Sequence, residues 1–250
     1  METVRNTNNI EESGSLWHKC PKCGEVSFHR ELERNDFICP KCKELFPLTI
    51  ENRLKLLIDV NTITDNSETE SNQIIRHDVS EYDAFAVEEN IAEYSVSLFI
   101  LSSYATLKQQ HLKVFSASIE CAIEKTIPLL TVFPVNDIET ECTFSDIIPL
   151  LLRLDRLSQA AIPHLTVLTE TDVEKLTSYL PVGEIVIAEC ASLPDNISRI
   201  KPQPALHAPE EQLLPEENRN LTPDISVDCY VPRPELHTIL ARLLSFFAAS

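Results

Sequence analysis

Cys20, Cys23, Cys39 and Cys42 read C-x2-C-x15-C-x2-C, and that spacing leaves few ways to fold the amino-terminal part of the chain. Each C-x2-C pair sits in a tight knuckle, Cys20-Pro21-Lys22-Cys23-Gly24 and Cys39-Pro40-Lys41-Cys42-Lys43. A knuckle turns two thiolates toward one point. Two knuckles make a closed tetrahedral S4 shell, which suits one structural zinc ion and leaves no position open for a substrate. The spacer predicts a short hairpin with Glu25–His29 and Asp36–Ile38 as its arms. A module this small has little core, and a zinc site supplies about 10–16 kcal/mol of apparent folding free energy. The other four cysteines, Cys121, Cys142, Cys190 and Cys229, are scattered and read as small buried apolar groups.

Two further features narrow the function. Glycine occurs only three times in 250 residues, at Gly14, Gly24 and Gly183, where about 7% is usual. Glycine-rich phosphate loops and glycine-built oxyanion holes are therefore excluded. Formal net charge is -18, which argues against broad binding to nucleic acid or to an anionic membrane surface. No run approaches the roughly 18 apolar residues a membrane-spanning helix needs. Met1–Glu12 is polar and acidic, unlike a secretory or transit signal. The expectation is a cytoplasmic protein that does not enter a membrane.

Charge divides the chain. Residues 16–58 carry eight Lys/Arg against six Asp/Glu, whereas residues 59–250 carry twelve against thirty. The predicted organisation is a polar tail over 1–15, a zinc ribbon over 16–58, a linker over 59–77 and a body over 78–250. In the body, Val96–Leu101, Leu129–Val135, Leu165–Thr169 and Glu184–Glu189 read as strands. Leu112–Lys125, Asp146–Ala161 and Asp172–Tyr179 read as helices between them. Strands alternating with helices imply a layered α/β fold. Leu193–Pro234 holds eight of the sixteen prolines and the acidic pairs Glu210-Glu211 and Glu216-Glu217, and most of it reads as loop or extended chain. Glu235–Phe247 is an amphipathic helix that docks on the body or on a partner. His77, His111, His164, His207 and His237 read as surface or core-edge groups, not ligands.

The segments Leu16-Trp17-His18-Lys19-Cys20-Pro21-Lys22-Cys23-Gly24-Glu25, Arg30-Glu31-Leu32-Glu33-Arg34-Asn35, Cys39-Pro40-Lys41-Cys42, Asn52-Arg53-Leu54 and Leu57-Ile58-Asp59 resemble the zinc ribbon of the bacterial acetyl-CoA carboxylase carboxyltransferase β subunit. The resemblance continues more weakly through Ala122-Ile123-Glu124-Lys125, Arg156-Leu157-Ser158, Thr166-Val167-Leu168-Thr169, Glu184-Ile185-Val186-Ile187-Ala188-Glu189 and Val231-Pro232-Arg233. It ends in Leu240-Ala241-Arg242-Leu243-Leu244. It implies a degenerate crotonase-like (ββα spiral) carboxyltransferase domain behind the ribbon.

The departures bear on activity. The family places glycine pairs in loops whose backbone N–H groups hold the thioester enolate and the carboxybiotin carbonyl. Here those loops correspond to Ser103-Tyr104-Ala105-Thr106-Leu107, Val135-Asn136-Asp137-Ile138-Glu139 and the stretch around Asp172-Val173-Glu174-Lys175-Leu176. Loss of one oxyanion donor costs about 10²–10³ in rate, and two of these replacements add carboxylates. No catalytic or cofactor-binding residue carries over, and a protein without carboxyl-transfer activity is expected. It would act as a binding, regulatory or scaffold partner of a carboxyltransferase subunit or another crotonase-fold protein, or as a homo-oligomer. Three alternatives stand beside it. One is altered acyl-CoA or acyl-carrier chemistry using Asp137, Glu139, Glu141, Asp172 and Glu174. Another is a genuine carboxyltransferase subunit making malonyl-CoA. The last is nucleic-acid binding through Lys19, Lys22, Arg30, Arg34, Lys41 and Lys43, with Phe28 and Phe37 stacking on bases.

Overall fold

The computed structural model describes residues 16–58, 83–102, 105–134, 140–169, 180–192 and 225–248. The chain divides into two compact units between Phe46 and Pro47.

In the first unit, β1 (Trp17–Lys19) pairs antiparallel with β2 (Val26–Phe28) around the first knuckle. The expected hairpin is thus corrected. The partner of the Glu25–His29 arm lies before the first cysteine, and the spacer holds a short helix, α1 (His29–Arg34). Its Leu32 is 1% exposed and fills the centre of the unit with Phe46 and the thiols. Asp36 and Phe37 then take left-handed φ values of 51° and 55°. They reverse the chain into the second knuckle, where Ile38 meets Leu45 in a single antiparallel bridge.

The second unit begins with α2 (Ile50–Leu57), capped by the Thr49 side chain on the Asn52 N–H. The ribbon expected over 16–58 would include this helix. Its Ile50, Leu54 and Leu57 instead pack in one cluster with the sheet of the second unit. That sheet has six strands in chain order: β3 (Ala84–Ile91), β4 (Tyr94–Leu101), β5 (Leu129–Pro134), β6 (His164–Thr169), β7 (Ile185–Cys190) and β8 (Cys229–Pro232). The β3–β4 pair is antiparallel and every later pair is parallel. Helices α3 (Gln109–Lys125) and α4 (Phe144–Gln159) connect β4 to β5 and β5 to β6. The last helix, α5 (Leu236–Ala248), follows a 3-10 turn at Arg233–Glu235.

Strand parity sorts the core. Leu129 and Phe133 of β5 join Phe99, Phe115, Leu150 and Leu157 on the face that α3 and α4 cover. Leu130 and Val132 join Leu54, Leu98, Val167 and Leu240 on the face of α2 and α5. A sheet covered on both faces requires strands that are apolar on both sides, as LLTVFP and HLTVLT are. The expected α/β layering is therefore present, with helices on each face of a mostly parallel sheet. Three details differ. Strand β3 was missed. Cys229–Pro232, read as loop, is the edge strand β8. His111 and His164 are 3% and 5% exposed, inside the core and not at its edge. The helix expected at Asp172–Tyr179 and most of the loop expected at 193–234 lie outside the described residues. Among the described residues no helix is long and apolar enough to cross a membrane.

Candidate metal centre and the buried arginine pair

The ribbon knuckles repeat one backbone pattern twice. The Cys20 N–H donates to the Glu25 carbonyl at 2.7 Å and the Gly24 N–H to the Cys20 carbonyl at 2.9 Å. The Cys39 N–H donates to Glu44 at 2.8 Å and the Lys43 N–H to Cys39 at 3.1 Å. The residue after each second cysteine must take a left-handed conformation to close the turn. Gly24 does so with φ 72° and Lys43 with φ 61°.

These turns bring the four sulfurs within 4.8 Å of one another. Cys20 and Cys42 Sγ are 3.6 Å apart, and Cys23 and Cys39 Sγ 3.7 Å. Thiolates about 2.3 Å from a tetrahedral zinc lie about 3.8 Å from each other, which these two pairs match, so the set can close on one ion. Burial opposes a thiolate at Cys39, but the N–H donors of Cys42 and Lys41, with the Cys42 and Cys23 thiols, hold it down to about 7. Burial and the neighbouring sulfurs push Cys42 up to about 12, so the cluster shares its charge unevenly before metal arrives. Ionised sulfur is the form that binds metal. The thiol-only shell is closed, so the ion's role is structural. Cys20, Cys23, Cys39 and Cys42 are the only such cluster among the described residues.

The remaining predicted groups do not converge. Lys41 is engaged by Glu25 and Lys22 by Glu44, each at 3.0 Å. Lys19, Arg30, Arg34 and Lys43 are exposed. Phe28 meets the exposed Trp17 edge-on at 5.3 Å, and Phe37 meets His29 edge-on at 5.8 Å. Glu141 is exposed and lies 3.8 Å from Lys108. Asp137, Glu139, Asp172 and Glu174 lie outside the described residues, as do Ser103 and Tyr104 of the first altered loop. Burial raises the thiols of Cys121, Cys142 and Cys229 and pushes Cys190 up to about 11, so none is a thiolate at neutral pH.

One charged cluster escaped the sequence reading. Glu189 at the end of β7 is 0% exposed and Arg233 after β8 is 1% exposed. Arg233 clamps the carboxylate with two hydrogen bonds of 2.8 and 3.1 Å, and Arg53 of α2 donates a third. Burial raises the Glu189 carboxyl, but the charges of Arg53 and Arg233 outweigh it and hold it down to about 2. A signal was present for two of the three, since Glu189 interrupts an apolar run and Arg233 closes one, whereas Arg53 stands among polar residues. A second buried polar group is a chain of side chains between strands. His164 Nε2 lies 3.0 Å from Thr131 Oγ1, which lies 2.8 Å from Thr166 Oγ1, which accepts the Gly183 N–H at 2.8 Å. Gly183 has a packing role there, since a Cβ would fall 2.1 Å from the His164 carbonyl oxygen.

The acetyl-CoA carboxylase zinc finger domain family matches residues 17–42. The acetyl-coenzyme A carboxylase carboxyl transferase subunit beta of Carboxydothermus hydrogenoformans is 44% identical over 59 residues, 24% of this chain and 21% of that relative. The match therefore spans about a fifth of that curated relative's length. The Pseudomonas malonate decarboxylase MdcD-MdcE hetero-dimer is a similar solved structure, with TM-score 0.39 and 13% identity, covering 81% of this chain and 86% of that one. Residues 17–42 thus match the acetyl-CoA carboxylase zinc finger domain, and the similarity to the carboxyl transferase subunit beta extends over 59 residues of the chain.

Proposed function

We propose that this chain is a zinc-containing relative of the carboxyl transferase subunit beta that does not transfer carboxyl groups. It serves instead as a binding or regulatory partner in acyl-CoA metabolism. One contrast carries this reading. The zinc shell is kept in metal-ready geometry, while both described glycines have other employment: Gly24 closes a knuckle and Gly183 packs on His164. The third, Gly14, precedes the ribbon, so the sequence puts no glycine in the segments that follow β4 and β5, and the segment between β6 and β7 holds only Gly183, which packs on His164. Backbone N–H groups reach a thioester oxyanion most closely where no Cβ intervenes. A net charge of -18 also opposes the phosphates of CoA.

The test is a carboxyl-transfer assay on the zinc-loaded full chain, with malonyl-CoA as donor and biocytin as acceptor, alone and with a carboxyl transferase alpha subunit. The expected result is turnover at the uncatalysed level in both cases, with one zinc per chain. Transfer above that level, in either case, removes the proposal and restores a working carboxyltransferase subunit.

A further inference from the structure

Helix α4 has two apolar faces. The inward one, Ile147, Leu150 and Leu157, is buried in the core. The outward one is not polar, as a surface helix requires. Phe144 is 72% exposed, Ile148 42% and Leu152 64%, and Leu151 beside them is 39% exposed. Phe144, Ile148 and Leu152 are spaced by four residues and so form one row along the helix, about 12 Å long.

We propose that this row pairs antiparallel with the same row of a second copy of the chain. The spacing is self-complementary. A two-fold axis at Ile148 sets Phe144 of each copy over Leu152 of the other, as an isologous contact needs. The charges at the ends of the row also match. Exposed Glu141 lies before its amino end and Arg156 beyond its carboxyl end, with side chains 66% and 58% exposed. The same axis brings Arg156 of each copy to the Glu141 end of the other, where each shares the contact with its partner in the same chain, Glu120 at 3.2 Å from Arg156 and Lys108 at 3.8 Å from Glu141. Asp155 shares the Arg156 end and already accepts a hydrogen bond from Gln159 at 2.7 Å. Four side chains cover a few hundred Å², below the roughly 800 Å² per partner of a stable complex. The pairing is therefore weak and depends on concentration. Two copies of charge -18 repel at long range, so added salt strengthens it. This inference does not rest on the function proposed above.

The experiment is sedimentation of the full, zinc-loaded chain from low to high micromolar concentration, at low and at high salt. The expected result is a monomer–dimer equilibrium that tightens with salt and weakens about tenfold or more in Ile148→Glu. Arg156→Glu weakens it as well, and Glu141→Arg in the same chain restores it, an outcome that general destabilisation does not produce. A chain that stays monomeric at every concentration overturns the proposal and leaves the row to a different protein. A dimer that persists in Ile148→Glu, or an Arg156→Glu defect that Glu141→Arg does not restore, overturns it as well.

Discussion

Glu189 sits where a carboxylate is least expected, fully buried at the end of a parallel strand, and it is held there by two arginines. Taking a carboxylate out of water is unfavourable by several kcal/mol, so the arrangement persists only while both guanidinium groups answer it. The folded carboxyl lies near 2, against an ordinary 4.5. Its contribution is thus fully present above about pH 4.5 and is lost as the pH falls toward 2, about 3 kcal/mol in all. His164 adds an earlier acid loss. Burial pushes it down from 6.5 to about 4, so between those values the unfolded chain takes a proton that the folded chain refuses, and stability falls as pH falls. Denaturant titrations at stepped pH should therefore show stability declining in two successive segments below pH 6.5. Glu189→Gln should cost about 3–5 kcal/mol at neutral pH, because it leaves two buried arginines facing a neutral amide. It should also flatten the lower segment while leaving the upper one. An unchanged acid profile in that variant would show that the carboxylate carries none of the pH dependence. At the zinc-site cysteines the expectation is sharper still: Cys39→Ser should abolish stoichiometric zinc, read as metal per chain, since three thiolates leave the closed shell incomplete.

At the scale of elements, legibility followed hydrophobic runs and failed at turns. Strands β5, β6 and β7 are apolar on both faces and could be read within a residue or two. Helices α3, α4 and α5 were found from their stripes. Strand β3 was missed because its solvent edge reads Glu88-Glu89-Asn90 and because its hairpin turn has no glycine or asparagine to announce it. Ala92 makes that turn with φ 55°. Helix α1 has one buried residue, Leu32, in six positions, too few to show a period, and β8 was hidden among prolines. The same scarcity of glycine that excluded phosphate loops thus also concealed the chain's reversals. Among the described residues, Asp36, Phe37, Lys43, Ala92, Thr126 and Ala161 all take left-handed φ without being glycine. Each is strained by about 1–2 kcal/mol, partly offset by the entropy that glycine would cost on folding. Ala161→Gly, at the end of α4, should accordingly raise stability by about 0.5–1 kcal/mol, measured by denaturant midpoint at unchanged slope. Gly183→Ala should do the opposite and fail to fold normally, since its Cβ meets the His164 backbone at 2.1 Å.

At the scale of the whole molecule, the zinc site was legible from spacing alone because ligand chemistry fixes the distance between thiolates. The cluster of Arg53, Glu189 and Arg233 was not, because its three members are far apart in sequence, and only the fold brings them together. The same contrast predicts how the molecule comes apart. The first unit has a core of Leu32, Phe37, Phe46 and the four thiols, too small to hold without metal. The second has two apolar clusters, one on each face of its sheet, that share no residue with the first. Chelation should therefore unfold the ribbon while the larger unit keeps its thermal transition. Glu189→Gln should lower that transition and leave zinc in place. Proteolysis of the chelated chain should cut within residues 16–46 and leave the sheet intact, followed by mass spectrometry and by the far-ultraviolet melt. If chelation lowers the melting temperature of the sheet as much as it destabilises the ribbon, the two units fold as one, and the zinc ion is then a stabiliser of the whole chain instead of its first forty-six residues.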